Sequence, residues 1–160
     1  MPSRRKGLPP ARIGVRHGIG GTIRTVFEHS AGGVVLTTDG LLVVVRTRNL
    51  AGQSVVTLPK GLLEAGEQAI EAARREVTEE TGLEVRAADP ARAGVVEYWF
   101  VRDRVRVKKR VDFFRFAVTG GDPALHDNEV DEVVILEPSA AMGKLTYPAE
   151  RDLVRKALTL

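Results

Sequence analysis

Residues 61–83 read GLLEAGEQAIEAARREVTEETGL, and their spacing predicts one helix over Glu67–Thr81. Gly82 suits the left-handed residue that ends a helix, and Leu83 supplies the apolar contact that follows it. At about 100° per residue, Glu76, Glu79 and Glu80 stand at i, i+3 and i+4 and share one sector of the helix surface. Ile70 and Val77 flank that sector and can anchor it to a core. Ala69, Ala72 and Ala73 keep the same side slim, so another layer or a ligand can approach closely. Arg75 points away from Val77 and can reach Glu67 or Glu71.

Like charges at this spacing cost a few tenths of a kcal/mol even when exposed. Beside a core they cost more unless a cation neutralises them. Mg²⁺ or Mn²⁺ would do so, because hard divalent ions take carboxylate oxygens and keep water and phosphate oxygens as their other ligands. The glutamates alone would also suit a solvated surface face, so the surrounding residues have to decide.

Those residues resemble the box of the Nudix (MutT-like) hydrolases. Its pattern is Gly, five residues, Glu, seven residues, Arg-Glu, an aliphatic residue, any residue, Glu-Glu, any residue, Gly and an aliphatic residue. Gly61, Glu67, Arg75, Glu76, Val77, Glu79, Glu80, Gly82 and Leu83 meet every specified position. With average residue usage, a chance match is on the order of one in ten million, which sets the solvated-face reading aside. The strands expected before and after the box extend the resemblance over about residues 28–158.

The resemblance implies an α/β fold, the Nudix α/β/α sandwich with a mixed β-sheet. It also implies hydrolysis of a nucleoside diphosphate linked to another group. Glu76, Glu79 and Glu80, helped by the Gly61 carbonyl, would hold one to three Mg²⁺ or Mn²⁺ ions. Glu67 and Arg75 would be the structural pair of the motif, with Gly82 closing the helix. The general base would be Glu79 or Glu129 of the polar loop HDNEVDE, with Glu97 a third option.

Residues outside the box bear on the substrate. Lys60 in LPKG and Lys109 in VKKRVDFF are candidate phosphate contacts, and Tyr98 and Tyr147 are candidate base-stacking residues. In these positions the chain is most similar to the diadenosine polyphosphate hydrolases of the family. It departs from them at Thr57-Leu58, where a tryptophan often precedes PKG, and at Leu62, where a histidine or asparagine is common.

The 160 residues are expected to form a basic N-terminal arm over 1–21 and a single hydrolase domain over 22–160. SAGGVVLT, a turn at Asp39-Gly40 and LLVVVRTR predict a hairpin; QSVVTLP, RAGVVEYWFV, RVRVKKRVDFFRFAVTGG and DEVVILEP predict further strands. Pro148 opens a helix in which Leu153, Val154, Ala157 and Leu158 share a face. Cysteine is absent, which excludes disulfides and thiolate chemistry and suits a reducing compartment. The basic N-terminus lacks the apolar stretch of a signal peptide, and no apolar run reaches membrane-spanning length, so a cytoplasmic protein without a membrane partner is expected.

The net charge of +3 is unevenly spread. One basic cluster runs through Arg4, Arg5, Lys6, Arg12, Arg16 and Arg24, and a second through residues 102–110. Such runs suit either solvated charge or attraction for a polyanion. Three functions are therefore in view. The first is a pyrophosphohydrolase of dinucleoside polyphosphates. The second is the same chemistry on nucleoside triphosphates, ADP-ribose or 5′-capped RNA. The third is a non-catalytic nucleotide-binding regulator, which would not need all three helix glutamates. A monomer or homodimer fits each of them.

Overall fold

The computed structural model describes Arg12–Ile13 and residues 24–160. In chain order the elements are β1 (Arg12–Ile13), β2 (Thr25–Leu36), β3 (Leu42–Arg48), β4 (Ser54–Thr57), β5 (Lys60–Leu62), α1 (Ala69–Thr81), β6 (Leu83–Arg102), β7 (Val105–Gly121), a 3₁₀ turn (Pro123–Leu125), β8 (Glu132–Leu136), α2 (Pro138–Lys144) and α3 (Pro148–Leu158). The expected 1–21 arm lies outside the described residues except for Arg12–Ile13, which pair antiparallel with Phe27 and Val26 of β2.

The sheet runs β4-β3-β2-β7-β6, with β1 and β5 also on β2 and β8 on β3. β2 and β7 are parallel from Thr25↔Arg106 to Leu36↔Ala117, and the remaining pairs are antiparallel, so the sheet is mixed. Leu42–Val45 of β3 are completely buried, as an unbroken apolar run between two covered faces requires. On one face α1 sets Ala72, Ala73 and Val77 against Ala31, Val35, Val43 and Phe116. On the other, α2 and α3 set Ala141, Leu145, Leu153 and Val154 against Val34, Val44, Val111 and Phe113. Burying each large apolar side chain contributes about 1.5–3 kcal/mol. These two cores fix α1 and α3 on opposite sides of the sheet.

Several expectations change in detail. The helix begins at Ala69 rather than Glu67, because Glu64 and Glu67 close a turn on each other: the Glu67 N–H donates to the Glu64 carbonyl at 3.1 Å, and the Glu67 carboxylate accepts from the Glu64 N–H at 3.0 Å. The alanine side of α1 is filled by the sheet, since Ala72 and Ala73 are fully buried, and no ligand can reach it. Lys109 lies within β7, and Lys60 opens the short strand β5. Among the described residues no helix is long and apolar enough to cross a membrane.

Candidate active site

α1 stops at Thr81 because Gly82 takes φ 73°, donating its N–H to the Thr78 carbonyl at 2.8 Å. A Cβ there would overlap the Asp122 carbonyl. β5, one layer away, lays Gly61 flat against the Glu76 carboxylate, and any side chain at residue 61 would occupy the space that carboxylate fills. The box glycine is thus a contact requirement. It lets a buried acid reach the backbone of the neighbouring strand.

Glu76 is 2% exposed and Glu80 9%. The Glu76 carboxylate accepts from Arg75 at 2.7 Å. The same guanidinium donates twice to Glu67, both bonds 2.8 Å, and once to the Leu62 carbonyl at 3.0 Å, and it stands 3.5 Å from Glu79. Arg75 therefore ties together the loop, the helix and β5, and its pKa is raised, first through its bonds to Glu67. Glu80 receives a long contact of 3.4 Å from the Lys60 N–H. Burial first, then the charges of Glu76, Asp127 and Glu129, hold the Glu80 carboxyl well above the usual carboxylate range.

Around this cluster the structure gathers the four residues expected to bind substrate. The Lys60 ammonium pairs with Glu150 at the start of α3 and stands 5.6 Å from the Tyr147 ring centroid. Burial presses the Lys60 pKa down, but Glu150 outweighs it and the net shift is upward. The Tyr98 hydroxyl senses Lys60, Glu150, Tyr147 and Glu28, with burial the main reason its pKa is raised. Lys109 lies opposite Tyr98 in the β6–β7 register and 3.9 Å from Glu28. Burial, with help from the nearby Lys60 and Arg102 charges, lowers its pKa against the pull of Glu28. Tyr98 and Tyr147 are each 38% exposed, so both present a ring edge or face to solvent at the rim.

The loop 126–131 lies over the C-terminal end of α1, where the Asp127 N–H donates to the Glu79 carbonyl at 2.8 Å. Glu129 is exposed there, its backbone held by Asp127 and Thr47. Glu97 is not part of the site. It lies opposite Arg110 on the other face of the sheet, because strand side chains alternate and Tyr98 takes the site side.

Two carboxylates escaped sequence reading. Glu150 is 2% exposed, one oxygen accepting from the Leu58 N–H at 2.8 Å and the other from Lys60. In sequence it is only an acid in the first turn of a helix. Glu28 pairs with Arg102 and Lys109, and nothing local in the sequence marks it. Its signal would have been strand pairing, which depends on residues about 80 positions away.

The donor set that the box implies would be all oxygen: the Gly61 backbone with Glu76, Glu79 and Glu80. Among the described residues no three acidic or imidazole side chains yet converge in metal-ligand spacing. The close approach of Gly61 to the Glu76 carboxylate and the buried, mutually repelling Glu76 and Glu80 nonetheless fit a hard divalent cation.

The NUDIX domain profile matches residues 27–157, so this chain belongs to the Nudix family. It is 38% identical over 141 residues to a Mycobacterium tuberculosis (strain CDC 1551 / Oshkosh) protein that carries the name mutator protein MutT4, covering 84% of this chain and 56% of that one. It is 41% identical over 100 residues to the 8-oxo-(d)GTP phosphatase of Mycolicibacterium smegmatis (strain ATCC 700084 / mc(2)155), covering 62% of this chain and 29% of that one. The chain thus spans about half of the first relative and under a third of the second. A crystal structure of a C. elegans Ap4A hydrolase binary complex shares the fold, with TM-score 0.66 at 19% identity, covering 82% of this chain and 96% of that one.

Proposed function

We propose that this chain is a metal-dependent pyrophosphohydrolase that cleaves a phosphoanhydride of a nucleoside diphosphate linked to another group, with dinucleoside polyphosphates as the preferred substrates. The observation that carries the reading is the juxtaposition of the α1 carboxylates with Lys60, Lys109 and two rim tyrosines. One part suits a polyphosphate and the other suits bases at its ends. A bound Mg²⁺ or Mn²⁺ would neutralise the phosphate oxygens and lower the pKa of the attacking water. Glu76, Glu79, Glu80 and the Gly61 carbonyl would hold it. Lys109, 3.9 Å from Glu28, and Lys60, paired with Glu150, would orient the chain of phosphates.

Nucleoside triphosphates are the second reading, favoured by the identity to the mycobacterial 8-oxo-(d)GTP phosphatase. A panel of nucleotides with Mg²⁺ or Mn²⁺, products resolved by chromatography, separates the two. Release of ATP from diadenosine tetraphosphate supports the first; exclusive release of pyrophosphate from triphosphates replaces it with the second. With the better substrate, Tyr147→Ala is expected to raise KM several-fold and change kcat little, the pattern of lost ground-state binding. An unchanged KM would make Tyr147 a packing residue only.

Glu129 would take the proton from water, since it rides on an exposed loop while Glu79 is held near Arg75. Glu129→Gln should then lower kcat by about 10²–10⁴ with little change in KM. A larger kcat loss in Glu79→Gln than in Glu129→Gln would reverse the assignment.

A further inference from the structure

The β6–β7 hairpin and the start of β2 extend past the end of α1, and the sheet face they turn away from Tyr98 and Lys109 is uncovered among the described residues. Register fixes what that face carries. Phe27 of β2 lies beside Lys108 of β7, which lies beside Trp99 of β6, so an aromatic, a cation and an aromatic form one row across three strands. The neighbouring rows add Arg106 beside Val101 and Arg110 beside Glu97. Phe27 is 48% and Trp99 50% exposed.

The row has its own order. The Arg106 guanidinium stands 4.5 Å from the Trp99 ring centroid and the Lys108 ammonium 5.4 Å from it, which holds the indole down against the sheet. Asp112, at the inner edge of the patch, is engaged by Arg110 at 3.0 and 3.1 Å and by His29, so its charge is already met. Glu97, the other acid on this face in the β6–β7 register, lies beside Arg110. At the same edge the backbone of Arg12 pairs with Phe27.

Two flat aromatic groups about two strand spacings apart, roughly 10 Å, with cations between and beside them, match a chain that alternates flat apolar rings with negative charge. An acidic peptide would satisfy the cations and leave both rings unused. A duplex would offer phosphates but hide its base faces. We propose that this outer face of the β2–β7–β6 sheet binds single-stranded nucleic acid, stacking bases on Trp99 and Phe27 and placing phosphates against Arg106, Lys108 and Arg110. The site is separate from the hydrolytic one, which opens on the opposite face of the same strands.

Trp99 is the only tryptophan in the chain, so its emission reports on this face alone. Titrating the protein with a 15-nucleotide oligo(dT) at low salt should quench that emission in a saturable manner. With three phosphate contacts, a fourfold rise in salt should weaken binding about twentyfold. Measured by anisotropy of labelled oligo(dT), Trp99→Ala should bind about tenfold more weakly. The double variant Arg106→Glu/Lys108→Glu should bind weaker still. Hydrolysis by Trp99→Ala should stay at the wild-type rate. No quenching at low salt would overturn the proposal. So would equal quenching by polyglutamate, which would make the patch a general polyanion surface, or tight oligo(dT) binding that survives in the double variant.

Discussion

Glu80→Gln is expected to lower turnover about a hundredfold or more, a loss of roughly 2.7 kcal/mol in transition-state stabilisation, while the metal-free protein melts at the same temperature or slightly higher. Both halves follow from where Glu80 sits. It is 9% exposed and shares its surroundings with the charges of Glu76, Asp127 and Glu129, so ionising it works against the fold. Glutamine keeps the shape and an acceptor for the Lys60 N–H but removes the charge. What it cannot do is help hold a divalent cation against a polyphosphate. Steady-state hydrolysis and a thermal melt in chelator, run on the same preparation, give the two readings. Turnover within a factor of a few of wild type would remove Glu80 from the metal site.

Arg75→Ala is expected to have the largest effect on stability. One guanidinium meets Glu67 twice, Glu76 once and the Leu62 carbonyl once, in a site where Glu76 is almost completely buried. Removing one partner of a buried ion pair costs about 3–5 kcal/mol. In a domain of this size that corresponds to a fall of roughly 6–20 °C in Tm. Lysine should rescue little, since it cannot reproduce the two-pronged contact with Glu67. Adding Glu76→Gln to Arg75→Ala should recover part of the loss, because the charge that lost this cation is gone. If Arg75→Ala melts within about 2 °C of wild type, Arg75 is not the brace of the site.

The parts of this architecture with a local cause were legible in sequence. Glu76, Glu79 and Glu80 share a helix face through spacing alone, and Gly82 ends that helix through its φ, so the box could be placed before any contact was known. Lys60, Lys109, Tyr98 and Tyr147 do gather near the box. The failures are where long-range pairing decides. Glu97 and Tyr98 are adjacent in sequence, but strand alternation sends them to opposite faces, and only the sheet's placement tells which face is the active one. Glu150 and Glu28 look like ordinary surface acids until α3 carries Glu150 to Lys60 and β7 carries Lys109 to Glu28. β5 is three residues long, too short for any periodicity, although it carries the glycine that seats Glu76.

Mn²⁺ binding followed by electron paramagnetic resonance tests, without reliance on any substrate, whether the α1 carboxylates form a divalent-cation centre. Titrated into wild-type protein, Mn²⁺ should lose its free-ion signal in proportion to occupied sites, and in Glu80→Gln it should keep most of that signal at the same concentrations. Equal Mn²⁺ uptake by the two proteins would contradict the account.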